Sequence, residues 1–260
     1  MPKFAANLTM LFNEVPFRER FHAAAEAGFK GVEYLFPYDY PAEELAGLLK
    51  ENGLVQVLHN LPAGDWGGGE RGIACHPDRH EEFRAGVEEG VRYARILGCP
   101  RVNCLAGIKP AGVSDEDARA AFTENLRYAA DRLKAEGIEL LMEPINTRDM
   151  PGFFLNHTAQ AVEIIEAVGS DNLFVQYDIY HMQIMEGDLS RTLQENLPRI
   201  AHLQLADNPG RHEPGTGEIN YPFLFSFLDR IGYTGWIGCE YKPQAATTEG
   251  LGWVRPYLSA

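Results

Sequence analysis

The sequence lacks long apolar runs and is short of positive charge. No stretch approaches the roughly 20 apolar residues of a membrane-spanning helix, and residues 1–7 lack the apolar core of a signal peptide. Only 23 Lys and Arg stand against 37 Asp and Glu, which gives a formal net charge of −14. Because nucleic acids and anionic membranes bind clusters of Lys and Arg, this balance argues against both kinds of partner. An anionic small substrate stays open, but its site would need local cations.

Cysteine is also scarce, with four residues in a chain of 260. No two of them form a Cys-x-x-Cys pair, and they are too few and too dispersed for a dense disulfide framework. We interpret them as free buried thiols in a reducing compartment, with the cytoplasm as the expected location. They are Cys75, Cys99, Cys104 and Cys239.

Short apolar runs alternate with longer amphipathic segments over residues 1–260, with no composition break that would indicate a second domain. Segment 18–27, for example, places Phe21, Ala24 and Ala25 at helical spacing. Glycines that would end helices precede several of the apolar runs, namely Gly28, Gly53, Gly98, Gly137 and Gly232. The predicted strands span residues 4–8, 31–35, 56–59, 101–105, 139–143, 173–178, 202–205 and 236–240.

This alternation predicts a parallel α/β fold. Near-eightfold repetition favours one (β/α)8 TIM barrel over the whole chain, with an open doubly wound sheet as the alternative. The active site of such a barrel lies at the carboxyl ends of its strands. The polar residues that end the apolar runs are therefore the candidate functional residues.

The last four predicted strands each carry a polar residue at or near the carboxyl end: Glu143, Asp178, Gln204 and Glu240. Three carboxylates that converge on one rim repel one another unless a cation neutralises them. Oxygen ligands of this kind suit Mg²⁺ or Mn²⁺. We therefore predict a divalent metal held between Glu143 and Glu240. For each acidic residue taken alone, the alternative is a loop cap or an ordinary ion pair.

Four further residues are candidates for contact with a substrate. His181 lies three residues beyond the sixth predicted strand, so a single turn would bring it back toward the metal or the substrate, and His59 ends the third strand. Arg211 stands in the Gly- and Pro-rich segment 207–218 and could bind a carboxylate through two N–H groups. Lys242 is a second candidate cation. A histidine hydrogen-bonded in a loop, or a plain surface cation, is the alternative in each case.

The glycine run at 67–72 fits the pattern G-x-G-x-x-G, which is typical of dinucleotide-binding sites. It neither directly follows a predicted strand nor opens a helix, so we do not interpret it as a nucleotide site. We expect instead that this loop, together with Trp66, covers the substrate.

Three motifs together resemble the hydroxypyruvate isomerase family. They are Met-Glu-Pro-Ile-Asn at 142–146, Gln-Tyr-Asp-Ile-Tyr-His at 176–181 and Pro-Gly-Arg-His at 209–212. That family belongs to the xylose-isomerase-like barrels, which also contain the ketose 3-epimerases and the endonuclease IV group. Ketose epimerases typically have histidine in place of Gln204, and the endonuclease group uses further histidine ligands that this sequence lacks.

The resemblance covers nearly the whole chain and implies a role for each motif residue. It implies metal ligands at Glu143, Asp178, Gln204 and Glu240. It further implies that Glu143 and Glu240 shuttle protons, while His181 and Arg211 contact the substrate.

The implied reaction interconverts hydroxypyruvate and tartronate semialdehyde, by proton transfer through an enediolate, with a small anionic sugar acid as substrate. The motifs do not separate three-carbon from four-carbon 2-oxo acids. A ketose 3-epimerase, a metal-dependent hydrolase and a non-catalytic sugar-acid binding protein stay open. So does the oligomeric state, with a homo-oligomer as one alternative.

Overall fold

In the computed structural model, which describes residues 2–258, eight parallel strands follow one another in chain order around a closed barrel. The last strand pairs with the first from Lys3↔Trp236 to Ala6↔Cys239, which closes the sheet. The predicted barrel is thereby confirmed over an open sheet. The strands are β1 (Lys3–Asn7), β2 (Gly31–Glu33), β3 (Val55–Asn60), β4 (Arg101–Cys104), β5 (Glu139–Met142), β6 (Leu173–Asp178), β7 (Ile200–Leu205) and β8 (Trp236–Cys239).

Helices connect the strands and surround the barrel. Two helices follow β6, and a 3-10 turn and a short helix follow β8. No helix within residues 2–258 is long and apolar enough to cross a membrane. The α-helices are α1 (Phe17–Glu26), α2 (Ala42–Glu51), α3 (His80–Leu97), α4 (Asp115–Lys134), α5 (Thr158–Val168), α6 (Ile179–Met185), α7 (Leu189–Asn196), α8 (Tyr221–Ile231) and α9 (Arg255–Leu258).

Local sequence signals account for these helices and their ends. In α3 the side chains of Phe83, Val87 and Val91 recur every fourth residue and are buried against the barrel. The same helix ends at Gly98, whose φ of 63° is left-handed and favours glycine. At the start of α4 the hydroxyl of Ser114 accepts a hydrogen bond from the Asp117 N–H at 3.0 Å, which satisfies a free backbone donor.

The strand boundaries lie within two residues of the sequence-based prediction, and β6 matches it at both ends. Glu143 and Glu240 each follow the last residue of a strand instead of ending it. Both glutamates therefore lie just beyond their strands, at the carboxyl-end rim of the barrel.

A small apolar cluster of Ala5, Val57, Leu58 and Leu141 is separate from the larger core between barrel and helices. Side chains alternate along a strand, so Ala5 and Leu141 share a face with Asn7 and Glu143, two residues further on. The polar groups at the carboxyl-end rim thus lie above an apolar layer. All four cysteines are free and buried, as predicted.

Candidate active site

Four buried side chains converge at the carboxyl-end rim of the barrel. Glu143, Asp178, His181 and Glu240 each contribute one ligand atom, and these atoms all lie within 4.8 Å of one another. None of the four is more than 4% exposed. We refer to Glu143, Asp178, His181 and Glu240 as the rim cluster.

The turn after β6 places Asp178 and His181 together. Asp178 is the N-cap of α6, and its Oδ1 accepts a hydrogen bond from the Tyr180 N–H at 2.8 Å. Because α6 begins directly at Ile179, its first turn carries His181 back over the strand end. His181 Nε2 then lies 3.5 Å from Asp178 Oδ2.

The two glutamates reach the rim cluster from β5 and from β8, and neighbouring side chains hold them there. Glu143 Oε2 accepts a hydrogen bond from Asn103 Nδ2 at 3.3 Å. Glu240 Oε2 accepts one from Arg211 Nη2 at 3.0 Å, and its Oε1 lies 3.4 Å from Asn7 Nδ2. Both carboxylates thus have donors that fix their orientation.

Burial and mutual repulsion make these carboxyl groups hard to ionise. Burial raises the pKa of Glu143 well above its ordinary value, and the charges of Glu240 and Asp178 raise it further. Burial raises the pKa of Glu240 to about 8 although Arg211 opposes the shift. Burial likewise raises the pKa of Asp178 to about 6 against the effect of Arg211. Such shifts are expected where carboxyl groups gather in a buried site, and a cation held among them would oppose the shifts.

A hard divalent cation fits this donor set. Asp178 Oδ2 is buried and finds no hydrogen-bond partner among the described residues. Three carboxylates with such a free oxygen offer the ligands that Mg²⁺ or Mn²⁺ takes. Glu143, Asp178 and Glu240 could therefore hold the predicted metal.

Gln204 of β7 pairs with Asp178 of β6, but its side chain makes hydrogen bonds to two other residues. Its Nε2 donates to Glu33 Oε1 at 2.8 Å, and its Oε1 accepts from Gln176 Nε2 at 2.6 Å. A carbonyl oxygen has a second lone pair, so a metal-ligand role for Gln204 stays a prediction. Glu33, 1% exposed, also contacts His202 Nε2 at 2.7 Å and accepts from Asn7 Nδ2 at 3.0 Å.

Arg211 is held over the rim by the loop that follows β7. Asp207 organises this loop by accepting four backbone N–H bonds of 2.8–3.1 Å, from residues 208, 215, 217 and 219. The Arg211 guanidinium lies 5.1 Å from the centre of the Tyr180 ring. Burial acts to lower the pKa of Arg211, but Glu240, Asp178 and Glu143 raise it above the ordinary value.

Among the described residues, His59 is not part of the rim cluster, and Lys242 lines a separate groove. The His59 ring packs edge-on against Tyr38 with centroids 6.1 Å apart, and burial lowers the pKa of His59 to about 4. Lys242 is exposed, and its side chain lines a groove with Thr9 and Glu14. Substrate binding by either residue stays a prediction.

The glycine-rich loop follows β3 and packs against the segment that follows β2. Trp66 meets Phe36 with ring centroids 4.9 Å apart, and the Arg71 guanidinium lies 4.3 Å from the centre of the Trp66 ring. Asp65 Oδ1 accepts the Gly68 N–H at 2.8 Å within the loop. The proposed covering of a substrate by this loop stays a prediction.

Several polar residues of the site were not predicted from the sequence. Glu33 and Asn7 end their strands, and Asn103 is the second-last residue of β4. For Asn7 and Asn103, the signal that could have found them is the same as for Asp178: a polar residue near the carboxyl end of an apolar run. Asn7 and Asn103 donate to the two glutamates, so they belong to the site.

Comparison with known proteins identifies the family. Residues 21–257 match the family model described as the xylose isomerase-like TIM barrel. The chain is 58% identical over 257 residues to hydroxypyruvate isomerase of Escherichia coli strain K12, covering 99% of this chain and 100% of that protein. It is 50% identical over 258 residues to 2-oxo-tetronate isomerase of Cupriavidus necator, covering 99% of each.

Solved structures show the same fold. A Brucella melitensis protein, described as an AP endonuclease of family 2, is 50% identical, with a TM-score of 0.97 and 99% coverage of both chains. An Escherichia coli 3-keto-D-glucoside 4-epimerase is 22% identical, with a TM-score of 0.81 and coverage of 98% and 99%, and shares the fold. The chain therefore belongs to the hydroxypyruvate isomerase family of the xylose isomerase-like TIM barrels, and it is an isomerase.

Proposed function

We propose that this protein is a divalent-metal-dependent isomerase that interconverts hydroxypyruvate and tartronate semialdehyde. The observation that carries the proposal is the rim cluster, in which three buried carboxylates lie beside Arg211. The 58% identity to a hydroxypyruvate isomerase over nearly the full length of both chains supports it.

The reaction moves a carbonyl group between adjacent carbons and changes no mass. A proton leaves the hydroxymethyl carbon of hydroxypyruvate, and the carbonyl carbon next to it gains one. Loss of the first of these protons gives an enediolate intermediate. The hydroxyl proton also moves from the oxygen of one carbon to the oxygen of the other. Such a reaction needs a base, an acid and a way to stabilise the negative charge, but no redox cofactor.

Glu143 and Glu240 supply the base and the acid. They reach the rim cluster from β5 and β8, so a small enediolate between them can be met from two directions. A bound divalent cation would polarise the substrate carbonyl and stabilise the charge that develops on its oxygen.

Arg211 provides the cation that an acidic substrate needs. Its Nε is buried without a hydrogen-bond partner in the described part of the chain, although Nη2 is paired with Glu240. A free guanidinium donor beside three carboxylates is suited to the carboxylate of a 2-oxo acid. This local positive charge matters because the chain as a whole has a formal net charge of −14, which repels an anionic substrate.

A four-carbon substrate is the second candidate. The 50% identity to a 2-oxo-tetronate isomerase supports it, and the same residues would carry the same chemistry on a longer 2-oxo acid. By contrast, the charge of −14 disfavours DNA as a substrate. The free buried thiols are consistent with a reducing compartment such as the cytoplasm.

The test is an NMR assay of chelator-treated protein with hydroxypyruvate, before and after addition of Mg²⁺ or Mn²⁺. We expect conversion to tartronate semialdehyde, with no loss of mass, only when metal is present. Parallel assays with 2-oxo-tetronate rank the two candidate substrates by kcat/KM. Cleavage products would instead indicate a hydrolase, and metal-dependent binding without turnover would indicate a binding protein.

A further inference from the structure

The side-chain amide of Asn146 has a fixed orientation. One of its terminal atoms faces the backbone N–H groups of Arg148 and Asp149, at 3.0 Å and 2.8 Å. Because backbone N–H groups only donate, that atom must be the carbonyl oxygen Oδ1. The amide nitrogen Nδ2 therefore points the other way, toward Asp149 Oδ2 at 3.2 Å and His181 Nδ1 at 2.6 Å.

This orientation determines which nitrogen of His181 carries the proton. An amide nitrogen donates and does not accept, so His181 Nδ1 must accept and cannot hold a proton. A doubly protonated ring would place two donors face to face at 2.6 Å, inside a site where His181 is 2% exposed. The ring is therefore neutral, with its proton on Nε2.

The protonated nitrogen faces the carboxylates of the rim cluster. Nε2 lies 3.5 Å from Asp178 Oδ2 and 3.8 Å from Glu143 Oε1. At these distances its N–H makes no direct hydrogen bond with either oxygen. The donor is thus available to an oxygen placed beside the two carboxylates.

We propose that Asn146 is a positioning residue that holds His181 as the Nε2–H tautomer. His181 then acts as a neutral hydrogen-bond donor to a substrate oxygen, and not as a ligand of the cation. Distance alone does not decide between these two roles, because a ring nitrogen of His181 lies within 4.8 Å of the carboxylate oxygens, as those oxygens do of one another. A ring nitrogen that binds a metal must present a lone pair, which Nε2–H lacks. Only the identification of the acceptor as substrate rests on the proposed function.

The tautomer can be read by NMR on the Mg²⁺-loaded protein labelled with ¹⁵N-histidine. The chain has eight histidines, and the His181 signals are those that disappear in His181→Gln. We expect Nδ1 of the wild-type protein to have the shift of an unprotonated nitrogen and Nε2 that of a protonated one. A protonated Nδ1 in the wild-type protein would overturn the proposal.

Two variants test the role of Asn146. In Asn146→Asp the carboxylate can only accept, so the proton should move to Nδ1, or both nitrogens should become protonated. In Asn146→Ala the ring should lose its single tautomer. The kcat of isomerisation should fall roughly 10- to 100-fold in both, the range for one lost hydrogen bond to a charged group. Unchanged His181 signals in a folded Asn146→Asp protein would contradict the proposal.

Asn172→Asp is the matched control. The Asn172 amide donates to the carbonyls of Ala130 and Ile138 at 3.1 Å and 2.9 Å, next to the amino end of β6. The same substitution there should leave the His181 signals and kcat unchanged. If NMR shows the Nε2–H tautomer but the protein does not convert hydroxypyruvate, the proposed function alone is refuted. If the protein converts hydroxypyruvate but Nδ1 of His181 is protonated, this inference alone is refuted.

Discussion

Arg211 donates from Nη2 to Glu240 Oε2 at 3.0 Å, so a buried guanidinium lies directly against one of the two proposed proton carriers. The same guanidinium lies 3.8 Å from Asp149 Oδ2 and packs over the Tyr180 ring. Arg211 thus opposes the rise in the pKa of Glu240 that burial causes. Its buried Nε has no hydrogen-bond partner among the described residues and could donate to an anionic substrate.

The first prediction concerns this guanidinium. Arg211→Ala should lose about 2–5 kcal/mol of transition-state stabilisation, measured as a fall in kcat/KM for hydroxypyruvate. This is the range for truncating one partner of a buried charge pair. Arg211→Lys should recover only part of the loss, because lysine lacks the planar fork. Arg191→Ala, which removes an exposed arginine on α7, is the control. Equal kcat/KM for Arg211→Ala and wild type would rule out the assignment.

The second prediction concerns Asp178 as a metal ligand. Asp178→Asn can still accept from the Tyr180 N–H and cap α6, but it removes a charge from the rim cluster. Metal affinity, measured by calorimetry, should therefore fall strongly, and excess metal should restore part of the activity. Asp188→Asn makes the same change at the start of α7, outside the rim cluster, and should bind metal normally. Unchanged metal content in Asp178→Ala, by mass spectrometry, would show that Asp178 is not a ligand.

The third prediction links metal binding to pH. Folding raises the pKa of Asp178 to about 6 and that of Glu240 to about 8, so both groups take up protons on folding. Their contribution to stability is complete below their ordinary pKa values and is lost as pH rises through about 6 and about 8. Metal-free protein should therefore have a lower Tm at high pH. A divalent cation replaces those protons, so Mg²⁺ should raise Tm more at about pH 9 than at about pH 5. Equal Tm increments at both pH values would contradict this linkage.

The fourth prediction concerns the loop that carries Arg211. Asp207→Asn keeps one accepting oxygen but turns an amide donor toward the N–H groups of Gly215 and Gly217. The free energy of unfolding, from urea titration, should fall by about 1–3 kcal/mol, as for an unsatisfied buried group. kcat/KM should fall as well, because the loop positions Arg211. Asp131→Asn, on the exposed face of α4, should change neither quantity. A wild-type unfolding curve for Asp207→Asn would refute the role of this carboxylate.

The fold and the carboxylates of the rim cluster could be predicted because their signals are local. An apolar run followed by a polar residue marks a strand and the side chain at its end, and β6 with Asp178 shows both. The spacing from Asp178 to His181 is equally local, since α6 starts at the next residue. Closure of the barrel then brings Glu143 and Glu240 together without any further signal.

The remaining features depend on contacts that the sequence does not show. The apolar run that contains Glu33 continues to Leu35, so the pattern hides the early end of β2. β3 ends one residue later than predicted, at Asn60, whose side chain accepts from Asn103 beside Glu143. Because side chains alternate, a one-residue error in the strand end reverses the face assigned to His59. The contact of Asn146 with His181 joins the loop after β5 to the first turn of α6.

The central claim is that Glu143 and Glu240 carry the proton between the two carbons, and isomerisation in D₂O tests it most directly. Glu143→Gln and Glu240→Gln keep a ligating oxygen but cannot accept the proton, so both should retain metal while turnover falls at least ~10²-fold. One variant should stop exchanging the hydroxymethyl hydrogens of hydroxypyruvate with D₂O, while the other still exchanges them. Glu163→Gln, an exposed glutamate on α5, is the control. If both glutamine variants keep their metal and isomerise at a near-normal rate, the two-glutamate mechanism is wrong.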